Sequence, residues 1–199
     1  MPKLWAETVD SHRHEVRSAI LDAVGELVRQ RGALAVSMSE VAVQAGIGRA
    51  TLYKYYPDVE ALLHAWHTRH AAHHLATLTD LRDQPGDPWA RLLGVLQGYA
   101  RICQQRLQYA GGDLGALLHR AEHTDHLNSQ LLDLLTTLIA EAAHSGAVRN
   151  DLEPVELAHY CRRALEAAAD VPSEHLDRLV DLVYTGLATP GPAANIRCS

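Results

Sequence analysis

Five hydrogen-bond donors fall within seven residues: Arg49, Thr51, Tyr53, Lys54 and Tyr55, with Ala50 and Leu52 between them. Two are cations and three are hydroxyls. None has the partners that make a nucleophile or a general base, so the chemistry on offer is recognition of an anionic, hydrogen-bonding surface. Nucleic acid is such a surface: cations and hydroxyls hold phosphates, and a helix reads base edges with side chains near its N-terminus. The competing reading is the solvated face of an ordinary helical hairpin.

The flanking residues build a mount for this run. Ser37 and Glu40 have the S-x-x-E spacing of a capping box, which starts a short helix near Met38 with Val41, Ala42 and Ala45 on its inner face. Gly46 stands where that helix must stop, since glycine enters the left-handed region without steric cost. A second helix is expected from about Gly48 to Tyr56, closed by Pro57, with Leu52 plugging the crossing. Small residues at the crossing, glycine at the turn and an aliphatic afterwards give the pattern of a helix-turn-helix.

From Arg13 through the run ending EALLHAW, the chain resembles the DNA-binding domain of the TetR/AcrR family of bacterial transcription regulators. The matching pieces are a first helix ending before Gly32, the S-x-x-E-V-A box, A-G-I, the T-L-Y-x-Y-Y-P run, and E-A-L-L opening the next helix. The resemblance implies an all-α fold, a helix-turn-helix head followed by a helical effector-binding and dimerisation bundle. It implies that Arg49, Ala50, Thr51 and Lys54 face bases while Ser37, Tyr53 and Tyr55 hold phosphates. It favours repression, relieved by a small-molecule effector. Two positions depart from the family: Gly48 stands where Ser or Thr usually caps the recognition helix, and Val59 where Lys often touches phosphate. The first weakens a cap by a few tenths of a kcal/mol at most. The second removes one backbone contact and lowers the salt dependence of binding.

A net charge of −6 looks wrong for a DNA binder until it is divided along the chain. Residues 1–70 hold eight basic against eight acidic side chains, and residues 71–199 ten against sixteen. Between Arg29 and Tyr56 the basic residues are Arg29, Arg31, Arg49 and Lys54 against Glu40 alone, so positive charge is focused at the motif. The three cysteines, Cys103, Cys161 and Cys198, are odd in number and far apart, which indicates neither a disulfide framework nor a metal site. No apolar run approaches a membrane span, and the start MPKLWAETVD lacks a signal-peptide core. The expectation is a cytoplasmic protein.

Abundant Leu and Ala, with Gly and Pro in short punctuating stretches, read as a helical chain. The domains expected are a DNA-binding head over 1–57, a bundle over 58–189 and a disordered tail over 190–199. A first helix from about His12 to Arg31 covers the motif, with residues 1–11 frayed. A long fourth helix runs from Val59 to about Leu81. Further helices are read at 88–107, Asp113–His119, 125–145, Pro154–Ala169 and Ser173–Ala188. The helix at 125–145 is leucine-rich around most of its circumference and should be buried on nearly all sides.

Histidine is frequent, and His64, His67, His70, His73 and His74 crowd the fourth helix. His67, His70 and His74 fall within about 60° of one another on a helical wheel, on the side of Leu63, Leu78 and Leu81. They are core histidines, the wall of a ligand cavity, or, for His70 and His74, a metal pair. On the cavity reading, Trp66, Trp89, Leu96, Gln97, Tyr99 and Cys103 complete the walls of an effector pocket. His119, His123 and His126 form a second stripe, more readily a solvated face. The last two helices carry apolar stripes, Leu157, Cys161, Ala164, Leu165 and Ala168 on one and Leu176, Leu179, Val180, Val183 and Leu187 on the other. Two copies of this pair would make a four-helix, twofold interface, hence a homodimer on a roughly palindromic operator. No G-x-S-x-G, H-E-x-x-H or Walker-type loop occurs, and no cofactor is called for. A metal-responsive regulator and an all-α enzyme or scaffold without DNA binding are the alternatives.

Overall fold

A computed structural model describes the backbone of residues 3–109 and 122–189, and the side-chain surroundings of 11–105 and 126–189. The expected helix from Asp113, with His119, and the tail from 190, with Cys198, lie outside the described residues. Eight α-helices are described: α1 Lys3–Arg31, α2 Met38–Gln44, α3 Arg49–Tyr55, α4 Val59–Arg82, α5 Pro88–Tyr109, α6 Glu122–His144, α7 Pro154–Glu166 and α8 Leu176–Leu187. Among the described residues there is no strand, only an isolated antiparallel bridge between Val148 and Ala188. The fold is all-α.

Helix α1 begins well before His12, because nothing from Lys3 onward breaks a helix: LWAETVDSHRHE contains neither Gly nor Pro. Its inner stripe, Ile20, Leu21, Ala23, Val24, Leu27 and Val28, packs with Met38, Val41 and Ala42 of α2, Leu52 and Tyr56, and Leu62, Leu63 and Trp66 of α4. The first compact unit therefore runs past Pro57 to His70: the opening turns of α4 bury their apolar residues among the same side chains. Ala71–Leu107 with Glu122 onward form a second unit, cored by Leu92, Val95, Leu96, Tyr99, Leu135, Leu138, Ile139 and the inner faces of α7 and α8.

Two features of the second unit differ from the sequence reading. Helix α6 is not enclosed: Asp133, Thr137 and Glu141, four apart, remain exposed in a stripe, while Leu131, Leu134, Leu135, Leu138 and Ile139 are buried. The connection between the last helices is a pair of tight 3-10 turns, Ala167–Asp170 and Ser173–His175, so each α-helix is shorter than its apolar stripe suggests. Helix α7 opens with a capping box that uses Glu153 and Glu156, with Pro154 at its first turn.

Candidate nucleic-acid interface

The helix-turn-helix forms by local rules. Ser37 is extended, and its hydroxyl accepts the Glu40 N–H at 3.4 Å and donates to the Glu40 carboxylate at 2.7 Å. Arg31, at the end of α1, donates to the other oxygen of that carboxylate at 2.5 Å. Ser37 therefore caps α2, with its hydroxyl directed at Glu40.

Gly46 adopts φ 67°, donates to the Val43 carbonyl at 3.1 Å, and hands on to Ile47, whose N–H reaches back to Ala42 at 3.0 Å. Those two bonds are the Schellman closure of a helix. Gly48 then caps α3 through its carbonyl alone, with no side-chain cap bond. Leu52 has no exposed surface and fixes the rotation of α3. Around the wheel, Arg49, Tyr53, Ala50 and Lys54 then follow one another over an arc of about 140°, all exposed, with Thr51 and Tyr55 half-buried beside them. Neither Arg49 nor Lys54 has an acidic partner among the described residues, whereas Arg31 is paired to Glu40 and Arg29 to Glu26. The motif's net positive charge therefore resolves to two unpaired cations on one outward face, with a small residue, Ala50, between them. Such a face can enter a groove closely and meet phosphates and base edges there.

The family profile described as "Bacterial regulatory proteins, tetR family" matches residues 20–66, and the profile described as "Transcriptional regulator SbtR-like, C-terminal domain" matches residues 89–189. The second alone spans more than half of the chain. The chain belongs to the TetR family of transcriptional regulators. Uncharacterized HTH-type transcriptional regulators from two strains of Mycobacterium tuberculosis are 47% identical over 47 residues, and the match spans 24% of this chain and only 23% of each relative. Among solved structures, a TetR-family regulator from Pectobacterium atrosepticum superposes with a TM-score of 0.75 at 22% identity, covering 90% of this chain and 97% of that one. A TetR/AcrR regulator from Thermobifida fusca gives 0.72 at 20% identity, over 85% and 97% of the two chains. Members of this family are DNA-binding regulators, and the structural likeness at such identities carries the fold.

The other site residues read from the sequence fall in both compact units. Trp66 is buried in the first unit and stacks on His70, ring centroids 5.4 Å apart; His67 and His70 are half-buried there. His74 belongs to the second unit, as do Leu96, Tyr99 and Cys103, which are core side chains. Trp89 stacks on Tyr184 at 3.8 Å. Among the described residues, no three His, Cys, Asp or Glu side chains gather so as to hold a metal ion. Cys103 and Cys161 are buried, and burial pushes the Cys161 thiol up to about 12, far from a reactive thiolate at neutral pH. A void of ligand size that the sequence did not signal is an open groove of about 620 Å³ lined by Pro88, Thr136, Thr137, Ala140, Glu141 and His144.

Eight of the ten residues read as a dimer face, Leu157, Cys161, Leu165, Ala168, Leu176, Val180, Val183 and Leu187, are buried within the chain itself. They are core. Ala164 and Leu179 are half-buried. The large apolar side chains that α7 and α8 expose are Val155, Tyr160 (45% exposed) and Leu182 (68% exposed). The Tyr160 hydroxyl lies 3.0 Å from where a Cβ on Gly186 would stand, so its ring rests across α8 at the one residue that admits it. Tyr160 and Ala164 on α7, with Leu179, Leu182 and Gly186 on α8, share helical spacing and form an apolar patch. Among the described residues no helix is long and apolar enough to cross a membrane.

Proposed function

We propose that this protein is a dimeric repressor that places one α3 in each of two successive major grooves and is released by a small-molecule effector. The observation that carries the reading is the outward arc of α3, with unpaired Arg49 and Lys54 flanking Ala50 and Tyr53, on a helix whose rotation Leu52 fixes. Arg49, Ala50, Thr51 and Lys54 meet bases, Tyr53 and Tyr55 meet phosphates, and Ser37 keeps the cap. Two copies join through Tyr160, Ala164, Leu179, Leu182 and Gly186, so the operator is an inverted repeat with half-sites about one turn, roughly 34–36 Å, apart.

The effector binds the second unit. FadR of Bacillus subtilis, solved in complex with stearoyl-CoA, shares the fold at 15% identity with a TM-score of 0.63, which supports a ligand in this architecture without naming one. The groove beside Thr136, Thr137 and His144 has the volume of a small-molecule site. A ligand that prefers another setting of α4 would shift the half-site spacing and weaken the complex. The test is selection of bound duplexes from random DNA by the purified protein. An enriched inverted repeat is the expected outcome; recovery of unselected sequence would leave the regulator reading without an operator.

A further inference from the structure

Helix α4 is buried near its ends and half-buried or exposed between them. Leu62, Leu63 and Trp66 are buried in the first unit and Leu78 in the second, while from 67 to 77 no residue is buried. On the side of the DNA-binding head, two devices fasten this helix to α1. Gly25 sits mid-helix in α1, where glycine is less favourable than alanine. A Cβ there would lie 3.0 Å from the Trp66 indole nitrogen, so the helices touch at the one residue without a side chain. One turn along α4, Arg69 donates to the Ser18 carbonyl at 3.3 Å, the Ser18 hydroxyl at 3.4 Å and the Asp22 carboxylate at 2.7 Å. Ser18, Asp22 and Gly25 lie on one face of α1, and Trp66, Arg69 and His70 on one face of α4, so the contacts form a single seam.

The seam also reaches the recognition helix. Tyr56, which ends α3, is buried in the same core. Burial raises its phenol above the ordinary range, and Arg17 and Arg69 are the charged neighbours that oppose the rise. One guanidinium on α4 therefore has partners on α1 and stands beside the end of α3. The ion pair itself adds little stability, since Asp22 is 68% and Arg69 38% exposed. Three acceptors arranged on one helix instead restrict the direction from which the guanidinium approaches.

We propose that Gly25 and Arg69 are positioning residues for operator recognition, fixing the angle at which α1 and the recognition helix stand on α4 and hence the half-site spacing that the dimer accepts. The proposal rests on the dimeric DNA-binding reading above and asks neither residue to touch DNA.

The experiment uses the operator that the wild-type protein selects, with its centre lengthened or shortened by one and two base pairs. Each added pair moves a half-site by about 3.4 Å and turns it by about 35°, so the wild-type protein should lose on the order of tenfold in affinity per pair. Arg69→Met keeps the stem and removes the three bonds. It should bind the selected operator within about threefold of wild type, melt at the same temperature, and lose only about threefold per inserted pair. Gly25→Val, which must displace Trp66, should broaden the spacing profile in the same way. A folded Arg69→Met protein with the wild-type spacing profile, or one weakened equally on every spacing, overturns the proposal. Failure of the wild-type protein to select any operator would instead remove the DNA-binding reading, which separates the two. Should Gly25→Val not fold, Arg69→Met alone decides.

Discussion

Glu40 makes three bonds to two groups: it accepts from the Ser37 hydroxyl and from the Arg31 guanidinium, and it donates its own N–H to the Ser37 hydroxyl. The Ser37 hydroxyl first and the Arg31 guanidinium after it hold the Glu40 carboxyl below the ordinary glutamate range. A depressed folded value means stabilisation that is present above the unfolded value and lost as pH falls through the folded one. The stability gap between wild type and Glu40→Gln should therefore be constant above about pH 5 and close at lower pH. Thermal melts from pH 3 to 7 check this, and a gap independent of pH would contradict it. On α3, Arg49→Ala and Lys54→Ala should each cost about 1–3 kcal/mol and relax one base position, whereas Tyr53→Phe should weaken binding to all sequences alike. Titrations of duplexes changed at single positions separate the two. The exposure of Arg49, Tyr53 and Lys54 was legible in the sequence, because a donor run on a short helix is local. The second bond of Ser37 was not, because the S-x-x-E spacing does not say which way the hydroxyl proton points.

The turn between α2 and α3 depends on one backbone conformation. Gly46→Ala should cost about 1–2 kcal/mol, since its left-handed φ is required by both bonds of the closure, and urea denaturation measures it. Gly48→Ser should gain a few tenths of a kcal/mol, because the extended backbone at 48 suits a side-chain cap that glycine lacks. Both elements follow from punctuation that a sequence displays openly: a capping box, a glycine, a proline. The faces of longer helices are harder to assign. Periodicity locates the apolar stripes of α7 and α8 but does not distinguish a stripe that meets its own core from one that meets a second copy. Leu157 and Leu187 carry the stronger pattern and are core, while Tyr160 and Leu182 are isolated in sequence and become a patch only once α7 and α8 are side by side. The leucines of α6 misled in the opposite direction: their number suggested burial all round, yet Thr137 and Glu141 keep one side in water.

For the molecule as a whole, the sequence supplied the order of units but not their limit, since Pro57 ends the motif while the core that Trp66 completes runs on to His70. The proposed assembly rests on the patch on α7 and α8. Leu182→Glu places a charge on a side chain already 68% exposed, so the monomer should fold as before while light scattering reports half the wild-type mass. A monomeric wild-type protein at micromolar concentration would dismiss the patch as an interface. The central claim, that the outward face of α3 reads an operator, is tested most directly by titrating the selected operator duplex with wild-type and Arg49→Ala/Lys54→Ala proteins at physiological salt. Fluorescence anisotropy should show saturable wild-type binding and, for a double variant with an unchanged melting temperature, a loss of about 3 kcal/mol or more, over a hundredfold in affinity. A folded double variant that binds this duplex as tightly as wild type would contradict the account.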